Sequence, residues 1–206
     1  MTSRPPASNA GYGAEAATLA VRYESIAFED VHRDVLHLFP ARAADVLDVG
    51  AGTGRDAAAL ARRGHRVVAI EPTAELRAEG LRLHGAWPIE WVDDALPSLA
   101  RLRQADRRFA LILVTAVWMH LDEPERRAGM AALSGLLADG GQLVMSLRHG
   151  PVPQGRRMFD VSAAETVGLA GQLGLQCNHR GERTDTQGRP DVRWSVVGFI
   201  RPPGAS

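Results

Sequence analysis

The chain has 206 residues, 45% of them hydrophobic and 23% charged, with a formal net charge of zero. That is the balance of one globular domain with enough chain for a sizeable core, and it gives no support to a polyanionic partner such as nucleic acid. No apolar run approaches the roughly 18 residues a membrane helix needs, and the single cysteine rules out internal disulfides and cysteine-held metal clusters.

All 24 basic residues are arginine, so a P-loop lysine and a lysine Schiff base are excluded as well. Residues 1–13 read as a flexible tail without the apolar segment of a secretory signal, and the expectation is a cytoplasmic protein. Glu15–Tyr23 is expected to be helical. So is Phe28–Phe39, where Phe28, Val31, Val35, Leu36 and Phe39 recur at helical spacing before Pro40 stops the run.

Asp45 to Ala58 reads DVLDVGAGTGRDAA. A short apolar run passes into Gly50, Gly52 and Gly54 and then into a helical stretch, which brings backbone N–H groups close to a ligand. Glycine serves there because a Cβ would block both the positive-φ turn and the approach of the ligand. The following helix is expected to stop at Gly64. Arg66–Ile70 is a continuous apolar strand of the kind buried on both faces. It ends at Glu71, about 20 residues past the glycines, where a carboxylate can accept hydrogen bonds from two ribose hydroxyls.

Pro72 and Thr73 open a helix through Leu83, with Thr73 as its N-cap. Ile89–Val92 is a short strand leading into Asp93, Asp94 and Ala95. Phe109–Thr115 is the most hydrophobic strand and is expected at the centre of the sheet, running on through Ala116 to Leu121. Asp122 caps a helix to Leu137 with Pro124 and Glu125 in its first turn. Gln142–Leu147 is the fifth strand, followed by a loop carrying Arg148, His149, Arg156 and Arg157. Ser162 caps a further helix, and Leu175–Arg183 with Val192–Ile200 forms a closing hairpin. Cys177 reads as a small residue on a half-buried strand. Residues 202–206 are a C-terminal tail.

The glycines are spaced GxGxG after an acidic strand end, and Arg55 stands where the dinucleotide fingerprint GxGxxG has its third glycine. This spacing resembles motif I of the class I S-adenosylmethionine-dependent methyltransferases. The resemblance covers residues 45–200 and includes Glu71, Asp94 and the segment LLADGGQLVMSL. It implies an α/β, Rossmann-like fold: a seven-stranded, mostly parallel sheet with helices on both faces and a terminal antiparallel hairpin. Residues 14–201 would form a single domain, with 14–40 a helical cover.

The implied cofactor is S-adenosyl-L-methionine, leaving as S-adenosyl-L-homocysteine. Its expected contacts are Asp48, Gly50, Ala51, Gly52, Glu71, Pro72, Asp94 (with Asp93 as the alternative), Ala95, Thr115 and Ala116. Trp118, Arg148, Arg156 and Arg157 are placed to meet a small-molecule substrate. The arginines suit an anionic group, or else belong to a solvated loop. His120, His149 and Tyr23 are the candidates for acid–base chemistry, histidine because it titrates near pH 6.5, and Tyr23 unless it is a core aromatic. The remaining histidines are discounted, and no metal is expected.

The implied activity is methyl transfer by in-line displacement, where alignment in a dry pocket lowers much of the barrier. A base is needed only when the acceptor arrives protonated. No (D/N)PP(Y/F) follows the fourth strand, which argues against methylation of nucleic-acid bases. Three alternatives stay open. They are a non-catalytic cofactor-binding or regulatory protein, an enzyme acting on protein or RNA, and an NAD-dependent oxidoreductase, which Arg55 disfavours.

Overall fold

The computed structural model describes residues 11–204; the expected tails at 1–10 and 205–206 lie outside them. Seven strands make one sheet: β1 (Asp45–Val49), β2 (Arg66–Ile70), β3 (Ile89–Val92), β4 (Phe109–Thr115), β5 (Leu137–His149), β6 (Gln176–Thr184) and β7 (Arg193–Ile200). Their order is β3-β2-β1-β4-β5-β7-β6. The first five run parallel, and β7 lies antiparallel between β5 and β6. The sheet is therefore the mostly parallel, Rossmann-like one with a closing hairpin.

Both faces are covered because the strands are apolar on both sides. Val46, Leu111, Leu113 and Val144 turn to a layer with Phe28, Val35 and helix α3 (Arg55–Arg62). Their neighbours Leu47, Ile112, Val114 and Met145 turn to α6 (Glu123–Leu136) and α7 (Ala163–Gly171). This period of two is the pleat expressed in side chains. Each fully buried Leu or Ile contributes about 1.5–3 kcal/mol through removal from water.

Chain direction positions the ligand site. From β1 the chain moves outward to β2 and β3, then crosses back to β4 on the other side of β1. Ligands of open α/β sheets bind at such a switch point, outside the carboxyl ends of the strands. Here that point lies beyond Val49 of β1 and Thr115 of β4.

Several local expectations change. Phe28–Phe39 is not one helix: α2 covers Phe28–His32, and a tight turn at Leu36–Leu38 follows. Leu38 stands at the end of that turn. With the break it packs against Gly198 of β7, where a Cβ would come within 2.6 Å of its Cδ1. A short helix, α5 (Ala100–Arg103), lies between β3 and β4 where none was expected. β5 begins at Leu137, because that residue already pairs with Phe109 before the Asp139–Gly141 turn. Cys177 is exposed on edge strand β6 rather than half-buried.

The helix start at Asp122 has both halves of a capping box. The Glu125 N–H donates to Asp122 Oδ1 at 3.0 Å, and the Asp122 N–H donates to Glu125 Oε2 at 2.8 Å. Helix α1 (Ala16–Glu24) packs against α4 (Ala74–His84) through Leu19 and Leu76. Among the described residues no helix is long and apolar enough to cross a membrane.

Candidate functional site

A cavity of about 430 Å³ opens at the carboxyl ends of the strands beside the switch point, within the roughly 300–1,000 Å³ typical of small-ligand sites. Its floor comes from the glycine turn. Gly50, Gly52 and Gly54 all have positive φ. At Gly50 a Cβ would collide with Val117, and at Gly52 it would touch the Tyr23 ring at 3.4 Å.

Asp48 stands at the centre of the floor and is buried. Its carboxylate accepts from the Ala57 backbone, but among the described residues Oδ2 has no partner. Burial, with the Asp56 carboxylate close by, pushes its pKa well above the usual carboxylate range. Asp56 goes the other way. Burial opposes its ionisation, but His32 and Arg55 outweigh burial and hold it well below the usual range. Its oxygens lie 2.8 Å from His32 Nε2 and 2.7 Å from Arg55 Nε, and the Thr115 hydroxyl donates at 3.2 Å.

Glu71, at the end of β2, takes the Gly52 N–H at 2.9 Å on one oxygen and the Thr73 N–H at 2.8 Å on the other. The Thr73 side chain also bonds this carboxylate instead of capping α4. Glu71 thus ties the glycine turn to the start of α4, and with several lone pairs it can still accept from a ligand. Burial raises its pKa above the usual value, against those hydrogen bonds.

The cover over this floor is tied to it. The Thr53 hydroxyl donates to Glu24 Oε1 at 2.8 Å, and Arg55 Nη1 donates to the Tyr23 carbonyl at 3.3 Å. Arg55, at the position of the missing third glycine, therefore anchors both Asp56 and α1. Tyr23 lines the cavity. Burial, with Tyr12 and Glu71 nearby, keeps its phenol protonated well beyond the usual range, so it is a donor and not a base.

At the end of β4, Ala116 adopts φ +60, a left-handed conformation that costs a non-glycine residue about 1 kcal/mol or more. Its N–H donates to Ser146 Oγ at 3.0 Å. Beyond it His120 is buried, with Nδ1 2.7 Å from the Arg157 carbonyl and Nε2 3.0 Å from the Tyr12 hydroxyl. A carbonyl only accepts, so Nδ1 carries the proton and Nε2 presents its lone pair to Tyr12. Burial lowers the basicity of this ring, and the charges of Arg156, Arg148 and Arg157 lower it further. His120 is a neutral acceptor at pH 7.

Of the residues singled out in the sequence, Asp48, Gly50, Ala51, Gly52, Glu71, Pro72, Ala95, Thr115, Ala116, Tyr23, His120, Arg148 and Arg156 line the cavity. Four expected residues do not. Asp94 spends its carboxylate on the backbone N–H groups of Ala95, Arg101 and Leu102, which start α5; Asp93 lies against Arg77 at 3.3 Å. Trp118 is fully buried in the α6 layer. His149 Nε2 is held by the Ser195 hydroxyl at 2.8 Å. Arg157 is consumed by Asp122 and Glu125, at 3.0 and 2.7 Å.

Tyr12 was read as tail and instead lies in the cavity, with the Arg156 guanidinium 3.9 Å over its ring and Arg156 paired to Glu15 at 2.6 Å. Asp185, Arg189 and Trp194 of the last hairpin also line it. The sequence signal for Tyr12 was an aromatic between two glycines, which reads equally as a loop. Among the described residues no group of three or more His, Cys, Asp or Glu is arranged to hold a metal ion.

Residues 46–141 match the family model described as a methyltransferase domain, and the chain has the fold of the class I S-adenosylmethionine-dependent methyltransferases. A TehB-like S-adenosylmethionine-dependent methyltransferase from Corynebacterium glutamicum superposes with a TM-score of 0.68 at 21% identity, over 91% of this chain and 98% of that one. The N-methyltransferase NodS from Bradyrhizobium japonicum, in complex with S-adenosylhomocysteine, gives 0.68 at 17%, over 91% and 99%. The 1,6-didemethyltoxoflavin N1-methyltransferase of Burkholderia thailandensis, bound to its namesake substrate and S-adenosylhomocysteine, gives 0.64 at 21%, over 92% and 89%. No curated protein sequence matches the chain.

Proposed function

We propose that the chain, with residues 14–201 acting as one domain, transfers a methyl group from S-adenosylmethionine to a small-molecule acceptor. The observation that carries this reading is Asp48 Oδ2, a buried carboxylate oxygen without a partner on the cavity floor. An unpaired oxygen there is costly unless a ligand cation meets it, and the amino-acid end of the cofactor bears an ammonium. Gly50 and Gly52 leave the space a Cβ would fill, and Glu71 faces the same cavity as an acceptor for ribose hydroxyls. The residues present fit the group, with Ala95 and Leu96 rather than Asp94 beside the base.

When bound, the cofactor supplies a methyl carbon activated by a sulfonium leaving group. The chain aligns the acceptor and excludes water: α1 covers the floor, and Tyr23 and Tyr12 close the cavity from the N-terminal side. For an acceptor that arrives protonated, His120 Nε2 is the base within reach of the cavity, and it takes the proton through the Tyr12 hydroxyl. The size of the cavity supports a small acceptor beside the cofactor.

Calorimetry with S-adenosylmethionine and S-adenosylhomocysteine tests the reading, with NAD as the control and Asp48→Ala and Glu71→Ala as comparisons. Micromolar binding of the sulfur compounds, lost in the variants, is expected. Preference for NAD, or no binding, overturns it.

A further inference from the structure

Six arginines line the cavity: Arg22, Arg55, Arg148, Arg156, Arg183 and Arg189. Five have evident surroundings. Arg22 is exposed to solvent, Arg55 is paired to Asp56, Arg156 to Glu15 and Arg189 to Asp185. Arg183 donates to the carbonyls of Asp30 and Val31.

Arg148 is different. It is half-buried at the end of β5, and among the described residues no carboxylate lies within ion-pair distance of it. Its guanidinium reaches only the Gly150 carbonyl at 3.4 Å and the Met158 sulfur at 4.0 Å. Asp185, the nearby acid, is already taken by Arg189 at 2.7 and 2.9 Å and by Trp194 Nε1 at 2.9 Å.

A guanidinium drawn out of water without a partner is an unfavourable arrangement that an incoming anion corrects. Burial lowers the basicity of Arg148, and the Arg189 charge acts in the same sense. The nearby Asp185 carboxylate acts in the opposite sense, but its oxygens are already engaged by Arg189 and Trp194. Tyr12 is a protonated phenol by burial and His120 is neutral, and the charge of Arg148 is felt at both. Tyr12, Met158 and Trp194 give this end of the cavity apolar walls. A carboxylate fits the flat fork of the guanidinium on two oxygens.

We propose that Arg148 anchors the methyl acceptor, and that the acceptor is a small molecule with an apolar body and one carboxylate. The proposal rests on the methyltransferase reading of the same cavity. It makes Arg148 the residue that sets acceptor class, while His120 and Tyr12 handle the proton.

The test uses the full chain saturated with S-adenosylhomocysteine and two probes of the same shape, benzoate and benzamide, titrated by calorimetry. Wild type is expected to bind benzoate at least tenfold more tightly than benzamide. Arg148→Met should erase that preference while holding S-adenosylhomocysteine within twofold, and Arg148→Lys should restore part of it. Equal affinity for the two probes, no binding of benzoate, or a preference retained in Arg148→Met overturns the proposal. If S-adenosylhomocysteine itself does not bind wild type, the methyltransferase reading falls first and this one with it.

Discussion

Replacing Asp48 with asparagine should make the protein more stable and less able to bind its cofactor. Asp48 is 2% exposed, and Oδ2 has no partner; a buried acceptor left unpaired costs about 1–3 kcal/mol, and more when charged. Asparagine keeps an oxygen for the Ala57 N–H and removes the negative charge next to Asp56 and Glu71. A gain of about 2 kcal/mol corresponds to a Tm rise of about 4–8 °C for a chain of this length. The sign with pH is fixed by the raised pKa of Asp48. Its folded form binds a proton that the unfolded form releases above about pH 4. Aspartate therefore loses ground as pH rises through its folded value, so the advantage of Asp48→Asn should grow from pH 5 to pH 8. On the proposed reading the same change removes a charge-assisted hydrogen bond to the cofactor ammonium, worth about 1.5–3 kcal/mol, or roughly tenfold to a hundredfold in affinity. Thermal melts across that pH range and calorimetry with S-adenosylhomocysteine measure both effects. A variant that melts below wild type at pH 8, or binds as tightly, would refute the reasoning.

A second consequence of Asp48 is proton release: binding a cation there ionises it, so the binding enthalpy should vary with the ionisation enthalpy of the buffer near neutrality. That dependence should vanish in Asp48→Asn. Gly50→Ala places a Cβ against Val117 at φ +71, and should cost about 1–3 kcal/mol in urea melts and abolish cofactor binding. Trp118→Ala empties a fully buried site away from the cavity. It should cost about 3–5 kcal/mol, while S-adenosylhomocysteine affinity, measured well below the melting temperature, stays near that of wild type.

The parts of the site that were legible from sequence are those where the backbone itself is constrained. Gly50 and Gly52 carry positive φ, and Asp48 and Glu71 sit at fixed offsets on strands whose ends face the ligand. The fate of long polar side chains was not legible, because it is decided by partners far away in the chain. Arg156 meets Glu15, 141 residues earlier, and Arg157 is claimed by Asp122 and Glu125 from the start of α6. Asp94 shows the same limit at short range: a carboxylate at the right strand end is used to start α5. Helical spacing over Phe28–Phe39 is realised only as far as His32, and past the break Leu38 packs on Gly198 of the last strand, a partner far along the chain.

The cavity is assembled from two sources. The floor is drawn from separate segments between Asp48 and Ala116 that follow β1, β2, β3 and β4 around the centre of the sheet. The acceptor wall joins the two extremities of the fold: Tyr12 comes from before the first helix, and Asp185, Arg189 and Trp194 come from the last hairpin. On the proposed reading, mutations at either extremity reshape the acceptor's wall while leaving the floor intact, so acceptor choice can diverge faster than the chemistry. On that reading too, trimming either end to obtain a minimal domain would remove Tyr12 or Trp194 from the wall and leave the floor in place.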